Sequence, residues 1–510
     1  MAPSSFEEAQ TMVTDEEKAV TSAGSAEQDV RVAEIHGLLR GAGNGLLSKL
    51  MSFQNVESRG IQPIPVDERT NTRTYTIFTL WFTMSLNPLP IVTGMTGTLS
   101  YGLSLRATSL VILFFSILCT LPVGYLATLG PRTGMRQMIQ ARYSFGYYLV
   151  SVPVILNLAT LTGFCIIDSV IGGQTLSAVS GGHLTPTVGI VIIALVAMFI
   201  CFFGIKVLHQ YERFAWIPAL IAIVVATGCG GKHLHEQVAV EAPAAATVLS
   251  FGALVAGFLL PWGALSSDFA TYMHPHTPSW KVFAYTYGGL FIPSVPLMVL
   301  GAAIGGAVIN VPSWSQGNDE NSAGGVLAAM LQPAGGFGKF LVVLLSFSIL
   351  GNISATMYSI TLNFQLLIPW LVRVPRSLFA IIITAIVIPI SIRAAASFFD
   401  NLDNFIGVIG YWASAFVAVV IVEHALFRRA DCSTYEASIW CDARSLPSGV
   451  AALAAAACSF ALVIPSMAEV WYTGPIALHT GDIGFELAFV LTALLYVPFR
   501  YLEIKLQGRR

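Results

Sequence analysis

"TMSLNPLPIVTG", residues 83–94, lies in an apolar run that begins near Thr74 and is long enough to cross a bilayer. Pro88 and Pro90 cannot both sit in an unbroken helix. Each lacks a backbone N–H, and each ring collides with the carbonyl four residues back. In lipid, backbone that leaves the helix is tolerated only against protein or a water-filled cavity. The stretch therefore predicts a membrane helix broken near half depth. Freed carbonyls, the Ser85 hydroxyl and the Asn87 amide would form a polar patch there. One reading is a substrate or ion site of the kind secondary transporters build from broken helices. The other is a proline kink in a packed bundle, with Asn87 hydrogen-bonding between helices. This segment alone does not favour either.

The remainder of the chain fixes the class. Of its 510 residues, 55% are hydrophobic and only 11% charged, against about 25% charged in soluble domains; the mean hydropathy is +0.72. The deficit extends over almost the whole sequence and predicts an all-α polytopic membrane protein whose environment is the lipid bilayer. A net charge of −2 argues against a nucleic-acid partner. Seven cysteines show no C-x-x-C spacing, so no metal, cofactor or disulfide framework is expected. Residues 1–60 are polar and acidic; they predict a disordered cytoplasmic N-terminal region without a cleavable signal peptide.

A spanning helix needs about 20 apolar residues. Such segments occur at 74–98, 104–129, 147–178, 187–205, 214–231, 247–266, 281–309, 339–366, 377–393, 404–427, 448–467 and 484–500, which predicts twelve transmembrane helices. With both termini cytoplasmic, the inner side receives all of the 26 Lys and Arg residues except Arg106, Lys232, Lys339 and Arg393. That asymmetry fits the positive-inside rule, and the reverse orientation would invert it.

Polar groups recur inside the apolar segments. In "GFCIIDSVIGGQ" of span three, Asp168 follows Phe164 by one turn, on the same helical face. A carboxylate at the centre of a membrane helix costs about 2.5–3.5 kcal/mol on insertion scales, so it should face the bundle interior, as a functional group or else as a structural partner of a neighbouring hydroxyl or amide, with function the favoured reading. An aromatic ring beside a hydrogen-bonding group suits a flat heterocycle. In span six, "PWGALSSDFATY" places Trp262 beside Pro261, where it could stack on the opposite face of such a ligand; Asp268 reads as a helix-end or gate carboxylate. Span eight, "SILGNISATMYSITLNFQ", puts Asn352 and Thr356 one turn apart, facing span one. Small residues there also suit close helix packing. Glu423, His424 and Arg428 at the inner end of span ten predict an ion-pair cluster rather than a proton relay.

"VESRGIQPIPVDERTNT", "GPRTGMRQMIQARYSFG", "GIKVLHQYERFAW", "SDFATY" and "VEHALFRR" occur in that order between about residues 55 and 430. Together they resemble the fungal purine–cytosine permease branch of nucleobase–cation symporter family one. The resemblance implies a fold like that of sodium-coupled amino-acid transporters. Spans one to five and six to ten would be inverted five-helix repeats with broken helices one and six, and spans eleven and twelve would lie outside the core. The transporter core would be residues 61–430, and residues 431–510 would add spans eleven and twelve with a short cytoplasmic tail.

By function, the resemblance implies proton-coupled uptake of cytosine and purines across the plasma membrane, by a transporter and not an enzyme. Carried over, the ligand-binding positions are Ser85, Asn87, Phe164, Asp168, Trp262, Asn352 and Thr356. Cytosine–purine members generally have Trp and Asn where this chain has Phe164 and Asp168, and an Asn where it has Thr356. A related vitamin B6 (pyridoxine) or specialised-metabolite substrate is the alternative. Leu350-Gly351 stands where sodium-coupled relatives place hydroxyls, which implies protons rather than sodium, with Asp168 as the titratable candidate. A membrane enzyme would need paired His or a Cys/His site near an interface, and none is visible. A nutrient sensor on this scaffold would be favoured by a long signalling tail.

Overall fold

The computed structural model describes residues 60–202, 205–367 and 376–508; the expectation of a disordered N-terminal region lies outside them. The first apolar run forms two helices, α1 (Tyr75–Ser85) and α2 (Pro88–Leu99). α3 (Leu105–Ala127) leads into two short helices, α4 (Leu129–Thr133) and α5 (Gln137–Phe145). Then come α6 (Ser151–Val179), α7 (Pro186–Phe202), α8 (Ile205–Gly230) and α9 (Ala245–Leu259). After a 3₁₀ segment at Leu260–Ala264 follow α10 (Ser279–Ala307), α11 (Pro312–Leu331), α12 (Gly335–Ser348) and α13 (Leu350–Leu367). α14 (Arg376–Ala394), α15 (Phe398–Val422), α16 (Val450–Val463), the short α17 (Ala477–Thr480) and α18 (Gly484–Gln507) complete the order. A two-residue hairpin, β1 (Ala468–Glu469) with β2 (Tyr472–Thr473), lies between α16 and α17.

A helix or helix pair lies on each of the twelve expected segments. Among the described residues, eight helical stretches are both long and apolar enough to cross a membrane, and Pro186–Cys201 and Val450–Ser466 are shorter apolar helices. The first expected span is not among the eight because the break leaves halves of 11 and 12 residues. Two elements differ from the sequence reading. The loop "GPRTGMRQMIQARYSFG" is helical, and every residue of α5 is buried. α11 is an additional helix between the expected spans seven and eight. It is kinked where Asn321 and Ser322 leave helical geometry, Ser322 with φ 48°.

Close packing sets the frame. α2 lies directly on α10: a side chain at Gly94 would strike the Met298 backbone, and one at Gly301 the Ile91 carbonyl. Thr98 Oγ1 donates to the Ala302 carbonyl at 3.1 Å across the same seam. Small residues permit this approach, and dispersion contacts then hold helices that no hydrophobic effect would drive together in lipid. α6 forms the other axis, packing against α7, α11 and α13. α18 is tied to the core by ions: Arg500 pairs with Glu423 (3.1 Å) and Glu503 (2.8 Å), and Glu423 also takes Arg428 at 3.1 Å. Glu423 and Arg428 of the expected cluster thus pair, joined by two residues of the last helix, while His424 lies against the Tyr125 and Tyr435 rings instead.

Candidate substrate site

The break has a local cause. Pro88 cannot donate to the Met84 carbonyl, nor Pro90 to that of Leu86, so the helix ends at Ser85 and restarts at Pro88. Asn87 is the N-cap of the new helix, in extended geometry, and its Oδ1 accepts from Leu89 N at 2.8 Å. Its Nδ2 donates to the Met84 carbonyl at 2.6 Å. Asn352 Nδ2, from α13, donates to the same carbonyl at 3.1 Å, and Thr356 Oγ1 donates to Asn352 Oδ1 at 3.1 Å. The freed carbonyl therefore receives two amide donors, and a chain of hydrogen bonds runs from span one into span eight. Asn87, Asn352 and Thr356 are brought together as expected, but the amide of Asn87 serves the backbone. Ser85, buried, is the last residue of α1.

The second break repeats the logic. α9 stops at Leu259, and Pro261 opens the 3₁₀ turn that carries Trp262. Trp262 meets Phe164 of α6 face to face, with ring centroids 5.1 Å apart and planes 25° apart. A planar ligand between two rings needs about 7 Å, two van der Waals contacts of about 3.5 Å. The pair stacks on itself here and would have to part to hold a base between its rings. Two aromatic residues that the sequence reading missed extend the column. Trp81 of α1 stands edge-on to Trp262 at 6.0 Å, and Phe405 of α15 stands edge-on to Phe164 at 5.4 Å. Trp81 had a signal, since it lies one turn before Ser85. Phe405 fits only because residue 163 is glycine: a Cβ there would strike its ring.

One turn beyond Phe164, Asp168 is fully buried, and among the described residues neither carboxylate oxygen has a hydrogen-bond partner. The buried Trp81 Nε1 likewise lacks an acceptor among them, as do both side-chain atoms of Asn157 on α6 and the Ser354 and Ser359 hydroxyls on α13. An unpartnered carboxyl is the costliest of these to bury.

Below the site, on the basic side, Arg136 closes the bundle. Its guanidinium donates to the Asp268 carbonyl (2.6 Å) and the Tyr358 hydroxyl (2.8 Å), and lies 5.6 Å from the ring centroids of Tyr272 and Tyr358. Asp268 Oδ1 in turn accepts from Gln137 N at 2.8 Å, at the start of α5. The carboxylate read as a helix-end or gate group thus caps α5 from across the bundle.

Comparison with known proteins agrees with this architecture. Residues 63–485 match the family described as permease for cytosine/purines, uracil, thiamine, allantoin. The chain is similar to the purine-cytosine permease fcyB of Emericella nidulans, 33% identical and covering 91% of this chain and 92% of that one. It is also similar to the vitamin B6 transporter TPN1 of Saccharomyces cerevisiae, 27% identical over 91% and 90% of the two chains. Among solved structures it resembles Mhp1, a nucleobase-cation-symport-1 family transporter, in a closed conformation with bromovinylhydantoin bound. That match has a TM-score of 0.66 and 16% identity, and covers 88% of this chain and 96% of the other. With two helices broken at prolines, an aromatic pair, a buried acid one turn along α6 from it, and a family match over most of its length, the chain belongs to the cytosine/purine permease family and is a multi-pass membrane transporter, not an enzyme.

Proposed function

We propose that this chain is a secondary transporter that carries a nucleobase, cytosine or a purine, into the cell across the plasma membrane in symport with a proton. The observation that carries the reading is Asp168, a fully buried carboxyl with no protein partner, one turn from a Phe164–Trp262 stack. In this reading Phe164 and Trp262 hold the ring by its faces, and Ser85, Asp168, Asn352 and Thr356 address its polar edge. Asn87 acts by holding the broken helix open. The two amide donors on the Met84 carbonyl favour a proton over sodium, because N–H groups and a metal cation cannot share one lone-pair site. The core is residues 61–430, with spans one to five and six to ten as inverted repeats; two breaks five spans apart support that symmetry. Residues 431–510 add the last two of twelve crossings, and both termini are cytoplasmic.

A pyridoxine-type substrate is the second reading, favoured by the TPN1 likeness and by an acid at residue 168. Uptake of radiolabelled cytosine and adenine, with unlabelled purines, uracil and pyridoxine as competitors, separates the two. Saturable uptake blocked by purines is expected. Uptake blocked by pyridoxine alone would transfer the assignment, and absence of any uptake by surface-localised protein would overturn both.

A further inference from the structure

Asp168 presents a problem of charge. α6 packs against α7, α11, α12, α13, α14 and α15. The titratable groups nearest in sequence and packing are thiols: Cys165 on α6 itself, and Cys201 on α7, whose Sγ contacts the Ser354 carbonyl of α13 at 3.6 Å. Tyr358 of α13 is engaged by Arg136. Among the described side chains, the charged ones of the other helices are Asp319 and Glu320 on α11, Lys339 on α12, Arg393 on α14, and Asp400 and Asp403 on α15. Among the described residues none of these hydrogen-bonds or ion-pairs with Asp168. An ionised carboxylate closed in protein with neither donor nor cation costs several kcal/mol. A neutral carboxyl avoids most of that cost but still carries one O–H donor and one C=O acceptor unmade.

That pair has a shape. The two atoms lie side by side in one plane, and they complement a ring edge that offers an acceptor next to a donor. The N=C–NH₂ edge of cytosine and adenine is such an edge: the O–H donates to the ring nitrogen while the exocyclic N–H donates to the carbonyl. An ionised carboxylate would instead require two adjacent donors and would set a lone pair against the ring nitrogen. We propose that the proton on Asp168 is itself part of the recognition surface, so that a heterocycle with an adjacent acceptor and donor binds only to the protonated carboxyl, and base and proton enter the closed site as one unit. This inference rests on the nucleobase reading above. No covalent bond changes: the proton is taken from the outer solution when the site is open to it, and is released with the base on the other side. A side-chain amide at this position carries the same donor and acceptor permanently, so Asp168→Asn would keep the edge and lose the proton.

The test is uptake of radiolabelled cytosine as a function of outer pH, in cells expressing wild type or Asp168→Asn at matched surface levels. Wild-type apparent affinity should fall tenfold per pH unit once the open-site carboxyl ionises. Asp168→Asn should bind cytosine with an affinity independent of pH. In wild type, 5-methylcytosine should compete and N4,N4-dimethylcytosine, whose edge has no donor, should not. If Asp168→Asn fails to reach the surface, calorimetry on purified wild type in buffers of different ionisation heat replaces it. At mildly alkaline pH it should show net uptake of about one proton per cytosine bound. Asp168→Asn with unchanged pH dependence, wild-type binding without proton uptake, or competition by the dimethylated base would each overturn the inference while leaving the transport reading intact. Failure of wild type to take up any base would overturn the transport reading itself.

Discussion

The Asn87 side chain serves the backbone on both sides of the break. Its oxygen caps α2 and its nitrogen serves the carbonyl that Pro88 leaves unpaired. Losing an N-cap costs about 1 kcal/mol, and a buried carbonyl short of a donor adds to that. Asn87→Ser retains a capping oxygen, so it should keep most of the uptake and thermal stability that Asn87→Ala loses. Uptake assays with fluorescence-detected size exclusion after heating check this. Equal loss of uptake in both variants would mean that the amide contacts substrate. Asn followed by Pro is the ordinary sequence signature of a cap and first helical position; the sequence reading placed the break at residues 87 and 88 but did not assign Asn87 as its cap. Asn352, 268 residues from Met84 in sequence, was legible as a site residue but not as a donor to that carbonyl. Gly163 making room for Phe405 could not be read at all, because it depends on which helix faces which.

At the level of elements, apolar runs revealed the membrane helices because lipid demands a run about 20 residues long. α11 escaped because half of it is polar and it follows no such demand. α5 escaped because its burial comes from protein on all sides, which composition does not record. The β1–β2 hairpin also lay beyond sequence reading, and it carries a pH dependence. Glu469 and the Asp482 carboxylate share the Tyr411 hydroxyl. Burial first, then the neighbouring Asp482 and Asp403 charges, raise Glu469 from 4.5 to about 8. A raised acid favours the folded hairpin while protonated. Its contribution is complete below the ordinary glutamate range and is lost as pH rises through about 8. Hydrogen exchange at Val470–Tyr472 should therefore quicken as pH climbs to about 8, beyond the intrinsic rate increase. Glu469→Gln should flatten that excess; an unchanged excess would exclude Glu469 as its source.

For the whole molecule, the basic side is held together by contacts that Arg136 makes. Arg136 joins the segment after the second break to α13 through contacts that include the Asp268 carbonyl, the Tyr358 hydroxyl and the Tyr272 and Tyr358 rings. Hydrogen bonds from a charged donor contribute about 1.5–3 kcal/mol each. Arg136→Ala should therefore shift the open-to-closed ratio on that side by on the order of tenfold or more. Faster maleimide labelling of an Asn71→Cys reporter, applied from the basic side of inverted vesicles, would register it. Labelling at the wild-type rate would show that closure resides elsewhere.

The seam between α2 and α10 determines which parts of this machine can move separately. Neither Gly94 nor Gly301 leaves room for a methyl group, so the two helices cannot slip by a residue or turn independently. Mechanically they are one lever. Its pivot is the non-helical pair Leu86–Asn87, where α1 ends, and its far arm is the end of α10. A displacement at the capped end of α2, where the broken backbone borders the site, is delivered to that far arm without slack.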